Sequence, residues 1–277
     1  MTDSVLPAWS ASFLPEARRT LTASGPLAGL TREWAWGGSA GRGVRVAVID
    51  SGIEADHPAL GPAVKGGVVV DTDRRTKTQV RLEADPRPRD FFGHGTACAG
   101  IIHALAPEAE LYSVRVFSRD LSSKGLQFAG GLRWAIENGM QVVNMSLSTS
   151  RAEFFGLFHE LADDAYFKNI NLVSAVNNIP APSYPSLYSS VISVAAHEGH
   201  DPFTYYYNPT PPVEFGAPGI DVEVAWIDKS YAISTGNSFA APHIAGLVAL
   251  IRAKHPELTP FQIKTVLLAC ASNMNGS

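Results

Sequence analysis

Two cysteines in 277 residues, Cys98 and Cys270, are too few for a disulfide scaffold and fit a reducing compartment. No apolar run approaches the roughly eighteen residues of a membrane-spanning helix, so no membrane partner is expected. No basic run stands out and the net charge is −4, so nucleic acid is not an expected partner either. The opening residues Met1-Thr2-Asp3-Ser4-Val5-Leu6-Pro7 lack the charged and apolar regions of a signal peptide, which together with the thiols points to the cytoplasm. The chain carries no internal repeat. What is abundant is apolar surface: 45% of residues are hydrophobic, enough at this length for one sizeable α/β domain.

The stretch that organises the chain is Ser234-Thr235-Gly236-Asn237-Ser238-Phe239-Ala240-Ala241-Pro242-His243-Ile244-Ala245-Gly246-Leu247. A polar turn ends at Ser238, and an almost wholly apolar run continues to Lys254, the pattern of a buried helix. Pro242 is tolerated in a first helical turn, which predicts a start near Ser238. A hydroxyl at a helix N-terminus meets free N–H groups and the positive dipole end.

The rest of the chain alternates strands and helices. Val44-Arg45-Val46-Ala47-Val48-Ile49 reads as a central parallel strand ending at Asp50, where open α/β sheets place their sites. Residues 27–36 read as a short helix whose Trp34 and Trp36 pack on the core, and 61–90 as a polar hairpin or surface loop. Strands are expected at 111–116, 142–147, 171–175 and 191–195, and helices at 126–137, 152–167 and 259–269. Residues 197–220 read as loop. A mainly parallel sheet with helices on both faces follows.

Asp50, His94 and Ser238 thus recur at element ends. A serine hydroxyl needs a base, histidine is the base that titrates near neutrality, and that histidine needs an acid to fix its tautomer. Three motifs carry a resemblance. Val46-Ala47-Val48-Ile49-Asp50-Ser51-Gly52-Ile53 with Asp56-His57-Pro58 resembles the aspartate box of the subtilisin-like serine proteases, the subtilases. Gly93-His94-Gly95-Thr96 with Ala99-Gly100 resembles their histidine box, and Gly236 to Gly246 their serine box. Linking segments match too, among them Val143-Asn144-Met145-Ser146-Leu147, Tyr184-Pro185 and Ala217-Pro218-Gly219.

The resemblance spans about residues 43–264 and implies a three-layer α/β catalytic domain at 43–277 behind a lead-in at 1–42. It implies a serine endopeptidase with the triad Asp50, His94 and Ser238, and no cofactor. An asparagine after a central strand then serves the oxyanion. Asn177 fits that place, with Asn178 as the competing register. The peptide or protein substrate lies as an extended strand beside Leu121-Ser122-Ser123 and Ser146-Leu147-Ser148, with the primary pocket between the latter and Ser174-Ala175-Val176.

Several departures from the family pattern stand out. Val176 and Ser148 replace glycines, which is expected to narrow the pocket. Asn237 replaces a threonine, as a further donor or a cap, and Phe239 replaces a methionine. Cys98, one helical turn after His94, is similar to the cysteine of the proteinase K group and reads as a buried structural thiol. The calcium loop that many relatives insert after the histidine helix has no room before Ala106-Pro107-Glu108, so no strong metal site is expected. His197-Glu198-Gly199-His200 lies in a loop without the spacing of a zinc helix. Two other outcomes remain open to the family: transfer of the acyl group to an amine, and peptide binding without cleavage. A dinucleotide module is excluded, because Gly41-Arg42-Gly43 precedes its strand instead of following it.

Overall fold

In the computed structural model, which describes residues 6–22, 27, 29–72, 79–117 and 125–275, strands and helices alternate as the sequence predicts. In chain order they are β1 (Leu21–Thr22), α1 (Arg32–Trp36), β2 (Arg45–Asp50), β3 (Val64–Thr72), β4 (Val80–Asp85), α2 (His94–Leu105), β5 (Glu110–Arg115) and α3 (Gly125–Glu137). There follow β6 (Val142–Met145), α4 (Phe155–Phe167), β7 (Asn171–Ala175), β8 (Ile192–His197), β9 (Tyr206–Tyr207), β10 (Phe215–Pro218), β11 (Val222–Trp226), β12 (Ser230–Ser234), α5 (Asn237–Lys254), α6 (Pro260–Ala269) and β13 (Met274–Asn275).

Nine strands form one sheet in the order β4-β3-β5-β2-β6-β7-β8-β10-β9. The seven inner strands run parallel, and the two edge strands are antiparallel to their neighbours. The chain winds outward from β2 in one direction through β5 and in the other through β6, so the C-terminal end of β2 is the switch point. The pleat divides β2 between two cores. Val46 and Val48 face the layer of α1, α2, α5 and α6, whereas Ala47 and Ile49 face α3 and α4.

The helix after Ser238 is apolar all round because it is buried all round: α5 runs between the sheet and α2. Gly246 permits the contact, since a Cβ there would come 2.9 Å from the Leu105 side chain. At α6, Thr259 and Gln262 form a complete capping box around Pro260. No helix among the described residues is long and apolar enough to cross a membrane.

Four local expectations change. Trp36 is buried, but Trp34 is 39% exposed and stacks on the His255 ring at 4.1 Å. Residues 206–207 and 215–218, inside the stretch read as loop, form β9 and β10, and beyond it 222–234 form a hairpin, β11–β12, that packs on α2. His197 ends β8 instead of lying in a loop, with ring nitrogens 2.5 Å and 3.0 Å from the carbonyls of Glu198 and Thr204. Finally, α5 begins at Asn237, which puts Pro242 in its second turn. The backbone has absorbed that proline in a way that bears on the active site.

Candidate active site

Asp50 ends β2 and is fully buried. His94 opens α2 after Gly93, whose φ of 110° is accessible to glycine. The two elements meet closely because Gly95 has no side chain: a Cβ there would sit 2.0 Å from the Gly52 carbonyl. His94 Nδ1 lies 2.8 Å and 2.9 Å from the two Asp50 carboxylate oxygens, and Oδ1 also accepts the Ser51 N–H at 2.7 Å. Local side chains fasten the first turn of α2. Asp90 accepts from Thr96 N–H and Oγ1 at 3.0 Å and 2.8 Å, and Ser51 Oγ accepts the Gly95 N–H at 3.0 Å.

Burial works against a charged His94, while the Asp50 carboxylate and, less, Cys98 favour it, and together they raise the imidazole well above its ordinary 6.5. Burial also raises the Cys98 thiol, which therefore stays protonated. Its Sγ sits 3.2 Å from Ser146 Oγ and 3.6 Å from the Ser238 carbonyl, beneath the catalytic face.

Ser238 stands in the first turn of α5. Pro242 has no N–H to give the carbonyl four residues back, which is that of Ser238. Ser146 takes its place: Ser146 Oγ donates to the Ser238 carbonyl at 2.8 Å and accepts from Asn144 Nδ2 at 3.0 Å. The interior proline thus ties the nucleophile's backbone to the end of β6.

A cleft of about 320 Å³ brings Asp50, His94 and Ser238 together with Ser146, Leu147, Ser148, Ala175, Val176 and Asn177. Ser174 is not part of it. The pleat of β7 turns that side chain inward, where it is fully buried and its Oγ donates to the Ala175 carbonyl at 3.4 Å. Val176 lines the cleft, and its side chain also packs with Phe13, Ala195 and Val213. Leu121, Ser122 and Ser123 lie outside the described residues. Ser51, Phe92, Phe117 and Asn178 line the cleft without having been singled out as cleft walls. Of these only Asn178 carried a legible signal, as the second of two asparagines after the strand.

The two asparagines are turned apart. Asn177 Nδ2 donates to the Pro182 carbonyl at 3.3 Å, and its N–H to Ser183 Oγ at 3.0 Å. Asn178 Oδ1 instead accepts the Asn237 N–H at 2.9 Å. A Cβ placed on Gly236 would lie 3.3 Å from Ser238 Oγ and 3.6 Å from Asn178 Nδ2, so both atoms face the small space that Gly236 leaves open. Asn237 itself is fully buried, which removes its side chain from the cleft as a donor.

Comparison with known proteins accords with this geometry. The profile of the subtilase family matches residues 41–277. A thermostable alkaline protease of Halalkalibacterium halodurans is 36% identical over 236 residues, covering 81% of this chain and 61% of that protein. Subtilisin BL of Lederbergia lenta is 32% identical over 251 residues, 87% of each. The crystal structure of a cold-adapted subtilisin-like serine proteinase superposes with a TM-score of 0.66 at 25% identity, covering 84% of this chain and 83% of that one. A family match across most of the chain, on a parallel sheet whose switch point carries the Asp50–His94 pair, places the chain in the subtilase family of serine endopeptidases.

Proposed function

We propose that this chain cleaves peptide bonds through an acyl-enzyme on Ser238, with Asp50 and His94 as its proton apparatus. The observation that carries the reading is the pairing of both Asp50 oxygens with His94 Nδ1. A proton fixed on Nδ1 leaves Nε2 as the lone-pair nitrogen in the cleft that Ser238 lines. His94 takes the Ser238 proton as Oγ bonds to the substrate carbonyl, whose oxygen becomes an anion. Collapse breaks the carbon–nitrogen bond, and His94 gives the proton to the departing amine. Water then attacks the ester with His94 again as base, which releases the acid and restores Ser238. Asp50 keeps its hold on the Nδ1 proton and offsets the imidazolium charge.

The oxyanion is served by the Ser238 N–H in the first turn of α5 and, in our reading, by Asn178 in place of Asn177. The support is the commitment of Asn177 Nδ2 to Pro182, set against an Asn178 whose Oδ1 is tied back and whose Nδ2 borders the space beside Gly236. An extended substrate runs beside Ser146-Leu147-Ser148, and the primary pocket lies between those residues and Ala175-Val176-Asn177. Ser148 stands in that wall where relatives carry glycine, and Asn177 adds a polar group to a lining otherwise formed by Leu147, Ala175 and Val176. Cys98 and Cys270, both free and buried, agree with a reducing, cytoplasmic setting.

A peptidyl phosphonate is expected to label Ser238 alone, and a peptide-library digest read by mass to give cleavage with water as acceptor. Labelling elsewhere would overturn the triad. Ligated products would turn the reading toward acyl transfer.

A further inference from the structure

The oxyanion side of the cleft is held from behind by a residue that touches no substrate. Asn237 precedes the nucleophile and has no exposed surface. Its carboxamide meets four backbone groups from three separated parts of the chain. Oδ1 accepts the Ala196 N–H of β8 at 2.8 Å. Nδ2 faces the carbonyls of Val176, Asn177 and Ala8 at 3.2, 3.1 and 3.0 Å. The Asn237 N–H donates to Asn178 Oδ1 at 2.9 Å, and the Asn178 carbonyl accepts the Ala8 N–H, also at 2.9 Å.

Ala8 therefore closes a ring. It grips Asn178 by its N–H and Asn237 by its carbonyl, while Asn237 grips the Asn178 side chain. Residues 6–13 are held in place by more than this. Phe13 is 3% exposed among Val176, Ala195 and Val213, and it lies over Gly216, where a Cβ would come 2.4 Å from its ring. The anchoring cluster includes Val176, whose carbonyl Asn237 also holds.

We propose that Asn237 is a positioning residue for the oxyanion site, and that residues 6–13 form a strap whose docking completes it. An oxyanion donor accelerates reaction only if its dipole is fixed before charge develops. The Asn178 amide is fixed at its oxygen by Asn237 and at its peptide carbonyl by Ala8. Asn237 has no exposed surface, so a backbone partner lost from its carboxamide leaves an unpaired buried polar group. A freed strap removes one grip directly and loosens Val176 and Asn177 through Phe13. The chemical step then slows while substrate, bound along other walls, still binds. The inference rests on the peptidase reading given above.

Two variants of the full chain test it. Asn237→Asp keeps the shape and the acceptor for Ala196 but turns its other oxygen against three carbonyls. Phe13→Ala frees the strap and leaves every polar group of the cleft in place. Active sites are counted with a peptidyl phosphonate, and kcat and KM are taken per titrated site. Affinity is measured for a peptide aldehyde, which forms a tetrahedral adduct, and for the matching peptide without the aldehyde. For Asn237→Asp we expect kcat per site to fall by about 10², the cost of a misplacement near 1 Å. For Phe13→Ala we expect about a tenfold fall on the same grounds. In both, KM stays close to its starting value, aldehyde affinity falls with kcat, and the plain peptide binds as before. Wild-type kcat per site in Phe13→Ala, with or without fewer titratable sites, would reduce the strap to a stability element and overturn the proposal. That decision stands even if Asn237→Asp fails to fold. A wild-type chain that the phosphonate does not label would instead overturn the underlying peptidase reading.

Discussion

The helix that brings the base and the helix that brings the nucleophile begin alike and are held differently. Both follow a glycine, and both carry their reactive residue in the first turn. The start of α2 is fastened by neighbours in sequence, Asp90 to Thr96 and Phe92, and by Ser51 just past Asp50. The start of α5 is fastened from afar: by Asn178 59 positions away, by Ser146 92 positions away and by Ala8 229 positions away. Geometry at the base thus rests on the adjacent Asp90 turn and on a single strand end, Asp50-Ser51, 44 positions away. Geometry at the nucleophile depends on the whole domain having closed.

The largest effect expected is that of Ser238→Ala, which removes the bond-forming oxygen and leaves the carbonyl that Ser146 holds. Turnover should fall by up to about 10⁶, the size of the loss in subtilisin, with the melting temperature nearly unchanged. Turnover above about a hundredth of the wild-type rate would remove Ser238 from the reaction.

Next is Asp50→Asn, expected to cost about 10⁴ in kcat near neutrality because the amide stabilises the wrong tautomer. It also carries a pH signature. Only neutral His94 is a base, and Asp50 raises its pKa, so the wild-type rate should climb with pH through a midpoint above 6.5. Stability runs the other way. A pKa raised on folding gives a contribution that is complete below the unfolded value near 6.5 and is lost as pH rises through the folded one. Activity therefore appears in the same window in which the ion pair's stabilisation disappears. Rate profiles and melting curves across that window check both limbs. A wild-type midpoint at or below 6.5 would contradict the coupling.

Third, Asn178→Ala should lower kcat by about 10²–10³ with little change in KM, and Asn177→Ala should do much less. If the two exchange places, the donor is Asn177 and the mechanism stands one residue earlier.

This contrast also explains what was legible in the sequence. The limits of β7 and α6 match the expected ones because a short apolar run, a capping Thr259 and Pro260 in the first helical turn are local signals. Asp50, His94 and Ser238 were legible for the same reason, each embedded in its own run of glycines and small residues. Asn177 and Asn178 are adjacent and chemically identical. What separates them is a hydrogen bond to Asn237, and nothing local records it. Ser174 was misplaced because the pleat of β7 turns it away from the cleft. Pro242 marked the helix start to within one residue although it sits in the second turn, where its unfilled hydrogen bond is taken up by Ser146.

The smallest effect expected is at the other helix. Asp90→Ala removes the acceptor for Thr96 N–H, Thr96 Oγ1 and Phe92 N–H. Loss of a helix cap costs about 1 kcal/mol, or some 2–4 °C in the melting temperature of a domain this large. The catalytic rate should hardly change, because His94 is also secured by both Asp50 oxygens and its neighbour Gly95 by Ser51. Fraying that reaches Thr96 still leaves the imidazole between the same walls. Calorimetry with parallel kinetics on Asp90→Ala decides this. A fall in kcat comparable with that of Asn178→Ala would mean that the α2 cap governs the base as closely as Asn237 is proposed to govern the oxyanion site. The distinction between a base held by one turn and one strand end and a nucleophile held from three distant segments would then be lost.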